Sequence, residues 1–507
     1  MVDLLLFEIF LCLLFVSIFL ILGTYLPKWG FWFIHESGIV IIIGIAIGAI
    51  MGAAWTSPSE FDEGIFFNFM LPFLILNAGY NLKRKRFFKN IGPIFLFGIG
   101  GTLTAFIVIG LEAYLFSEMG LIIKDGKTYH IPLQDGLLIG AVLSSTDIVC
   151  TLAMVKEDKT PKLFSILLGE SVSNDAIGIL LVQTLSSMDL SNIGAKELFI
   201  FIGKFLYNCF TSTICGSIFG VVTTYMTKRF KSLRDDPSKM IGLFLYISWI
   251  GYTVAELLGI SGVICILVAS IISGHYSFYN MTPSSRIACT EFMHFIGDAA
   301  EALIFAYLGL TTLSYDVFSV SWVYLFFMII GVLIARLCGT FGLSFLARFL
   351  SRGKHKLTIK QLAVCWMGGI IRGAVSFALV LTLDGENEKI MKMTVLALVI
   401  VTTLVFGVVL PLWVWWVDPK EEDVVTVDAQ KVLGDLAIGH NRIVITKGDS
   451  EERGWFHRTW RNFDNKYIKP FLIDPVALEE ARKIKATIKS LGRSSVGSVG
   501  EGHEEHH

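Results

Sequence analysis

Charge is scarce in this sequence. Only 17% of its 507 residues are Asp, Glu, Lys or Arg, where a soluble globular chain carries about 25%. The formal net charge is −1, so the charge balance gives no reason to expect a nucleic-acid partner. Paired cysteines are missing too. The eight cysteines (Cys12, Cys150, Cys209, Cys215, Cys265, Cys289, Cys338 and Cys365) stand singly and form no CxxC pair. They read as small buried hydrophobes rather than ligands or disulfide partners. No basic segment precedes the first apolar run, Leu4 to Leu22. That run is also too long for a cleaved signal peptide, so it is expected to be a membrane span.

What the chain has instead is apolar length. Hydrophobic residues make up 54% and aromatics 13%. Runs long enough to cross about 30 Å of hydrocarbon recur up to about residue 417. Thirteen are counted, near 4–26, 38–55, 64–81, 92–116, 134–155, 163–187, 197–227, 240–258, 260–278, 293–313, 319–347, 358–382 and 390–417. The expected fold is an all-α polytopic membrane protein of about thirteen transmembrane helices, with residues 1–417 as one membrane domain. Residues 418–491 are expected to form a short cytosolic tail with a basic aromatic stretch, Trp455 to Leu472, and a helical stretch, Ala477 to Leu491. Residues 492–507, Gly/Ser-rich with a His/Glu end, read as a disordered terminus.

Alternate loops differ in basic residues, twenty against five on this span count. The positive-inside rule then puts the tail in the cytosol and the N-terminus opposite. Asn280-Met281-Thr282 fits a glycosylation sequon, but it falls on the cytosolic side and should be unused.

The few charges inside the runs carry the chemistry. An ionisable group at mid-membrane costs about 2.5–3.5 kcal/mol on insertion scales and usually faces a partner or a polar cavity. The fifth run holds Ser144-Ser145-Thr146-Asp147. The sixth holds Gly169-Glu170-Ser171-Val172-Ser173-Asn174-Asp175. Glu301, Arg336 and Arg372 stand in the tenth, eleventh and twelfth. Glu170 and Asn174 share one helix face, and Ser171 and Asp175 share the next. Two anions so close need a cation or a proton between them. Arg336 and Arg372 can balance one acid and leave the other able to hold a proton or a small cation, but not both. The hydroxyl run before Asp147 is weak as helix and offers oxygens to a hard cation. Gly368, Gly369 and Gly373 around Arg372 permit a second break. Two inverted six-helix repeats, spans 2–7 and 8–13, would place the two breaks at corresponding positions, the pattern of discontinuous helices in secondary transporters. For each acid the plainer reading is a structural group bonded within a helix interface. Glu301 reads equally as a pH-sensing acid or as a cavity-lining one.

At these residues the sequence resembles eukaryotic sodium/proton exchangers of the monovalent cation/proton antiporter family. The matching stretches run in the family's order. They are Leu71-Pro72, Ala78-Gly79-Tyr80, Ser145-Thr146-Asp147, Gly169-Glu170-Ser171-Val172 with Asn174-Asp175, Ala335-Arg336, and Arg372-Gly373-Ala374. The stretch from Leu82 to Asn90, Ser273-Gly274-His275-Tyr276 with Tyr279-Asn280, and the stretch from Trp460 to Pro470 look most like the endosomal and Golgi branch. That implies an organelle membrane of this type, with the plasma membrane or another organelle as alternatives.

The resemblance implies roles. Asp175 would alternately bind cation and proton, with Asn174 beside it. Asp147 and Thr146 would sit at the unwound crossing of spans five and twelve, and Asp175 and Asp147 would hold a monovalent cation only. Glu170 would pair with Arg336, and Arg372 would stabilise the crossing. An Asn-Asp pair goes with electroneutral exchange of Na⁺ (or K⁺) for H⁺ by a homodimer with an elevator-like movement. Such a protein is a secondary transporter, not an enzyme, and needs no cofactor beyond the transported ions. Three positions depart from the family: Ile148 replaces the usual Pro, Ile370 the usual Gly, and Phe73 a second Pro. These departures motivate the alternative of a transport-inactive or accessory membrane subunit that keeps the exchanger fold.

Overall fold

The computed structural model describes residues 2–26, 28, 36–54, 63–82, 84–124, 127–155, 159–188, 194–312, 320–350, 357–383, 387–418, 424–428, 442–446, 459–460 and 462–479. The helices within the membrane domain, in order, are α1 (Val2–Tyr25), α2 (Glu36–Ala54), α3 (Phe66–Tyr80) and α4 (Ile91–Glu118). Next come α5 (Leu133–Ser144), α6 (Val149–Met154), α7 (Pro161–Ser186), α8 (Ala195–Arg229), α9 (Pro237–Leu257), α10 (Gly262–Asn280) and α11 (Pro283–Thr311). The last are α12 (Trp322–Phe349), α13 (Ile359–Gly368), α14 (Ala374–Leu381) and α15 (Glu388–Val417).

Among the described residues nine helical segments are long and apolar enough to cross a membrane, with α5 and α6 together counting as one. Three shorter apolar helices occupy the first three runs, and the run near 358–382 forms the broken pair α13 and α14. Helix α11 starts ten residues before its apolar run. Pro283 takes the first helical position and the Thr282 hydroxyl accepts from the Ser285 amide at 3.4 Å. A capped polar first turn of this kind does not register as hydrophobic length.

Two small hairpins depart from the all-helical pattern. Ile123–Lys124 pairs with Lys127–Thr128, and in the tail Val424–Asp428 pairs with Arg442–Thr446. The tail stretch is helical from Thr459, but Ala477 to Leu491 lies mostly outside the described residues, and the expected disordered terminus lies wholly outside them.

The helices sort into two sets by packing. Helices α4, α5, α6, α7, α12, α13, α14 and α15 pack mainly on one another. Helices α1, α2, α3, α8, α9, α10 and α11 do likewise. The sets meet chiefly along α7, which touches α8 and α10, and where α11 meets α14. Glycine permits the closest crossings inside each set. A Cβ at Gly140 of α5 would stand 2.6 Å from the Gly110 amide nitrogen of α4, and one at Gly44 of α2 would stand 2.8 Å from Gly309 Cα of α11. Small residues that let backbones meet are the usual adhesive between membrane helices, where no hydrophobic drive acts. Helix α7 is central and largely buried, whereas α8 is largely exposed.

Candidate ion-binding site

The fifth and twelfth runs both break, and the breaks meet. Between α5 and α6 the chain leaves the helix at Ser145, whose ψ of 134° is extended. Ile148 is fully buried there, and the break forms with no proline at that position. Between α13 and α14 the chain unwinds over residues 369–373. The Asp147 amide donates to the Ile371 carbonyl at 3.0 Å. Ser376, in the first turn of α14, donates to Val142 O and Ser145 O, each at 3.1 Å.

Each break leaves a helix C-terminus with orphan carbonyls and a helix N-terminus with orphan amides. Charged side chains answer both. Arg372 is completely buried, and its Nη1 donates to Leu143 O and, at 3.0 Å, to Ser145 O at the end of α5. A cation at a helix C-terminus is favourable. Asp147 Oδ1 accepts from the Val149 amide that opens α6 at 3.0 Å. It also lies against Gly373, the residue before α14, where a Cβ would come within 2.8 Å of Asp147 Oδ2. An anion beside a helix N-terminus is favourable for the same reason. The wide π-helical turn Thr402–Phe406 in α15 completes the second break. Thr402 Oγ1 accepts from the Arg372 amide at 3.3 Å, and Thr403 Oγ1 donates to Arg372 O at 2.8 Å.

Helix α7 delivers the remaining polar groups from its central position. Ser145 Oγ donates to Asp175 Oδ1 at 2.6 Å. In the orientation that satisfies every neighbour, the Asn174 amide donates to Thr102 Oγ1 at 2.7 Å and to Ser144 O at 2.9 Å. Its oxygen accepts from the Thr146 amide at 3.1 Å and from Thr146 Oγ1. Asn174 is thus spent on holding the α5 break against α4 and α7, and its neighbour Asp175 faces the break itself. Thr102 follows the π-helical turn Leu96–Gly101; such turns often mark functional sites. One helical turn before Asn174, Glu170 points elsewhere. Arg336 Nη2 of α12 donates to Glu170 Oε1 at 2.6 Å, and both side chains are about 3% exposed. Gly369 leaves room for this pair by packing on the Arg336 guanidinium, and Gly368 does so on the Thr151 side chain. Ile370 between Gly369 and the break is buried.

The structure therefore gathers Thr146, Asp147, Asn174, Asp175 and Arg372 at one crossing, with the Glu170–Arg336 pair beside it. Glu301 comes from the other helix set, on α11. It lies within electrostatic reach of Asp147 and Asp175, as well as of Asp298 and Glu36. Sequence reading missed Thr102, Ser376, Thr402 and Thr403, whose partners are remote in sequence. Ser145 stood in the hydroxyl run and could have been named.

The transmembrane sodium/hydrogen exchanger family matches residues 13–416. The chain belongs to the sodium/hydrogen exchanger family. Sodium/hydrogen exchanger 1 of Oryza sativa subsp. japonica is 33% identical over 398 residues, 74% of this chain and 72% of that one. Sodium/hydrogen exchanger 9 of Equus caballus is 32% identical over 430 residues, 83% of this chain and 66% of that one. The solved structure of the sodium proton antiporter MjNhaP1 from Methanocaldococcus jannaschii superposes with a TM-score of 0.59 at 17% identity, over 82% of this chain and 98% of that one. In this exchanger-family member, as in that likeness, the fold is a multi-helix membrane domain.

Proposed function

We propose that this exchanger-family chain is a secondary antiporter that exchanges Na⁺ or K⁺ for H⁺ one for one, with Asp175 as the group the two ions share. The observation that carries this reading is the charge balance at the crossing. Asp147, Glu170 and Asp175 stand against Arg336 and Arg372, three carboxylates to two guanidiniums. Within this hydrogen-bonded set, leaving aside Glu301 on the facing helix, one monovalent cation or one proton restores neutrality, and both together overshoot it. Charge at mid-membrane is costly, so the site crosses cheaply only when one of the two is bound. That requirement couples the ions.

Asp175 accepts from the Ser145 hydroxyl at a break lined by the hydroxyl and carboxylate oxygens of Thr146 and Asp147. Such a setting suits a hard cation, which prefers oxygen ligands. Asp147 is the second carboxylate of the site, and Asn174 and Thr146 brace it. The division of the helices into two sets supports an elevator-like movement in which the set carrying the crossing slides against the other. The second set then serves as the scaffold of a homodimer. The basic loops favour a cytosolic tail, and the stretches resembling the endosomal and Golgi branch favour an organelle membrane. Glu301, on the scaffold side, adds negative charge to the approach and is the candidate pH-sensing acid. The break forms with Ile148 in place of proline, which favours the transporting reading over a transport-inactive one.

The test is flux in proteoliposomes of the purified protein, read as Na⁺- or K⁺-dependent change in internal pH. Asp175→Asn should abolish it, and full retained flux would remove Asp175 from the mechanism. An imposed membrane potential should leave the wild-type rate unchanged; strong acceleration would rule out one-for-one exchange.

A further inference from the structure

The proposed exchange site does not use the basic aromatic stretch of the tail, which among the described residues is held in place by one face and exposed on the other. On the held face Tyr276 of α10 donates its hydroxyl to Asp464 Oδ1 at 2.8 Å, and Lys469 Nζ lies 3.0 Å from Asp464 Oδ2. Asn280 donates to Leu472 O at 2.9 Å and accepts from the Asp474 amide at 2.9 Å. Lys228, near the end of α8, donates to Pro470 O and Phe471 O at 2.8 and 2.9 Å, and Arg234 lies 3.3 Å from Asp474. Leu472 and Ile473 are buried with Tyr276 in a small apolar cluster. The sequon residue Asn280 is consumed by these contacts.

On the bare face Trp460, Phe463, Tyr467 and Phe471 recur at helical spacing and are 46%, 48%, 55% and 59% exposed. Trp460 contacts Phe463 with ring centres 6.0 Å apart, and Phe463 contacts Tyr467 at 5.2 Å. Lys466 sits 5.1 Å from the Tyr467 ring centre. A row of four large aromatics is not left in water without cause. The row continues a membrane surface. Phe471 stacks on Tyr225 at 5.9 Å, and Tyr225 ends a ridge on α8 formed by Phe210, Ile214, Ile218 and Val222, all exposed. Helix α8 is long and apolar enough to cross the bilayer; with its exposed ridge turned to lipid rather than to a second copy, the tail row would take over where the ridge reaches the headgroups. Trp and Tyr favour that layer because the ring is apolar and its edge polar. A lysine beside them can reach out to anionic headgroups.

We propose that tail segment 460–472 is an interfacial anchor. Its Asp464 face is fastened to α8 and α10, and its Trp460–Phe463–Tyr467–Phe471 face is seated in the phospholipid headgroup layer around them. The tail thereby fixes the depth of the scaffold helices in the leaflet.

The full-length purified protein, reconstituted in phosphatidylcholine vesicles with a minority of phosphatidylserine and a photoactivatable acyl-chain lipid, tests this. Mass spectrometry should find lipid adducts on the 460–471 peptide, as on the exposed Trp415 and Trp416 of α15, which serve as the control. Phe463→Ser with Tyr467→Ser should cut the tail adducts about fivefold or more, as expected when an amphipathic helix loses its apolar face. Amide hydrogen exchange across 468–473 should stay as slow as in the parent, because those residues are held by the other face. Absence of tail adducts with the control labelled overturns the anchor. So does cross-linking of the aromatic row to a second copy of the chain in place of lipid. Should the double variant lose the hydrogen-exchange protection, Lys466→Glu, which touches none of the fastening contacts, provides the reading. A decrease in adducts supports the anchor and an unchanged level overturns it.

Discussion

The amide of Asp147 and the carbonyl of Ile371 are 3.0 Å apart and hydrogen-bonded, and through that bond each broken helix uses the other as its missing turn. Residues far apart in sequence share one backbone hydrogen bond here. Perturbing either strand of the crossing should therefore disturb the carboxylate carried by the other.

Gly373→Ala is the sharpest such perturbation. Its Cβ would lie 2.6 Å from Asp147 Cβ, which forces Asp147 away from the start of α14. Cation-dependent flux is expected to fall at least tenfold. The strain should lower stability by about 1–3 kcal/mol, seen as a reduced melting temperature in detergent. Gly203→Ala in α8, where a Cβ meets nothing within 4 Å, is the control. It should leave flux unchanged and stabilise by roughly 0.5–1 kcal/mol.

The Glu170–Arg336 pair should act through structure. Removing one partner strands a buried charge and costs about 3–5 kcal/mol, so Glu170→Gln and Arg336→Met should each unfold far more readily than the parent. The double variant, which buries neither charge, should recover much of that loss. Thermal unfolding of all four proteins forms the cycle, and strict additivity of the two single effects would show that the pair is not coupled.

Asn174→Ala leaves Ser144 O and the Thr146 amide without their partner in a dry interior. Each lost partner costs about 1–3 kcal/mol. Because Asn174 braces the break instead of pointing into it, the expected change is a slower maximal rate with a smaller effect on half-saturating cation. A change confined to cation affinity would make Asn174 a direct ligand.

If Asp175 is shared as proposed, competition between proton and cation sets a sign for pH dependence. As pH falls the shared carboxylate is protonated more of the time, so more cation is needed to displace the proton. In the competitive range each pH unit downward should raise the half-saturating Na⁺ or K⁺ about tenfold, the reciprocal linkage of two ligands at one site. At equilibrium a one-unit pH difference supports about 1.4 kcal/mol of cation gradient. Titrating flux against cation at several pH values checks the slope, and a half-saturation independent of pH would separate the two sites.

Much of this site was legible before any coordinates. Charge in an apolar run is expensive, so Asp147, Glu170, Asp175, Arg336 and Arg372 were conspicuous, and hydroxyl and glycine clusters marked where helices would fail. The split between neighbours on α7 was less so. Helical spacing put Glu170 and Asn174 on one face, which suggested a shared task. In the fold Glu170 turns to α12, and Asn174 turns to the α5 break and α4.

The sequence by itself determined that the chain is membrane-spanning and where its helices weaken, because both follow from local composition. Hydrocarbon admits only backbones that satisfy their own hydrogen bonds, as a long apolar helix does, and Ser, Thr and Gly weaken a helix where they cluster. Only the tertiary structure decided which break meets which, that Thr402, Thr403 and Ser376 serve Arg372 and the α5 carbonyls, and that the tail fastens to α8 and α10. Those partners lie from 30 to 243 residues apart, and a hydrogen bond leaves no periodic trace in sequence when its two ends are brought together only by packing.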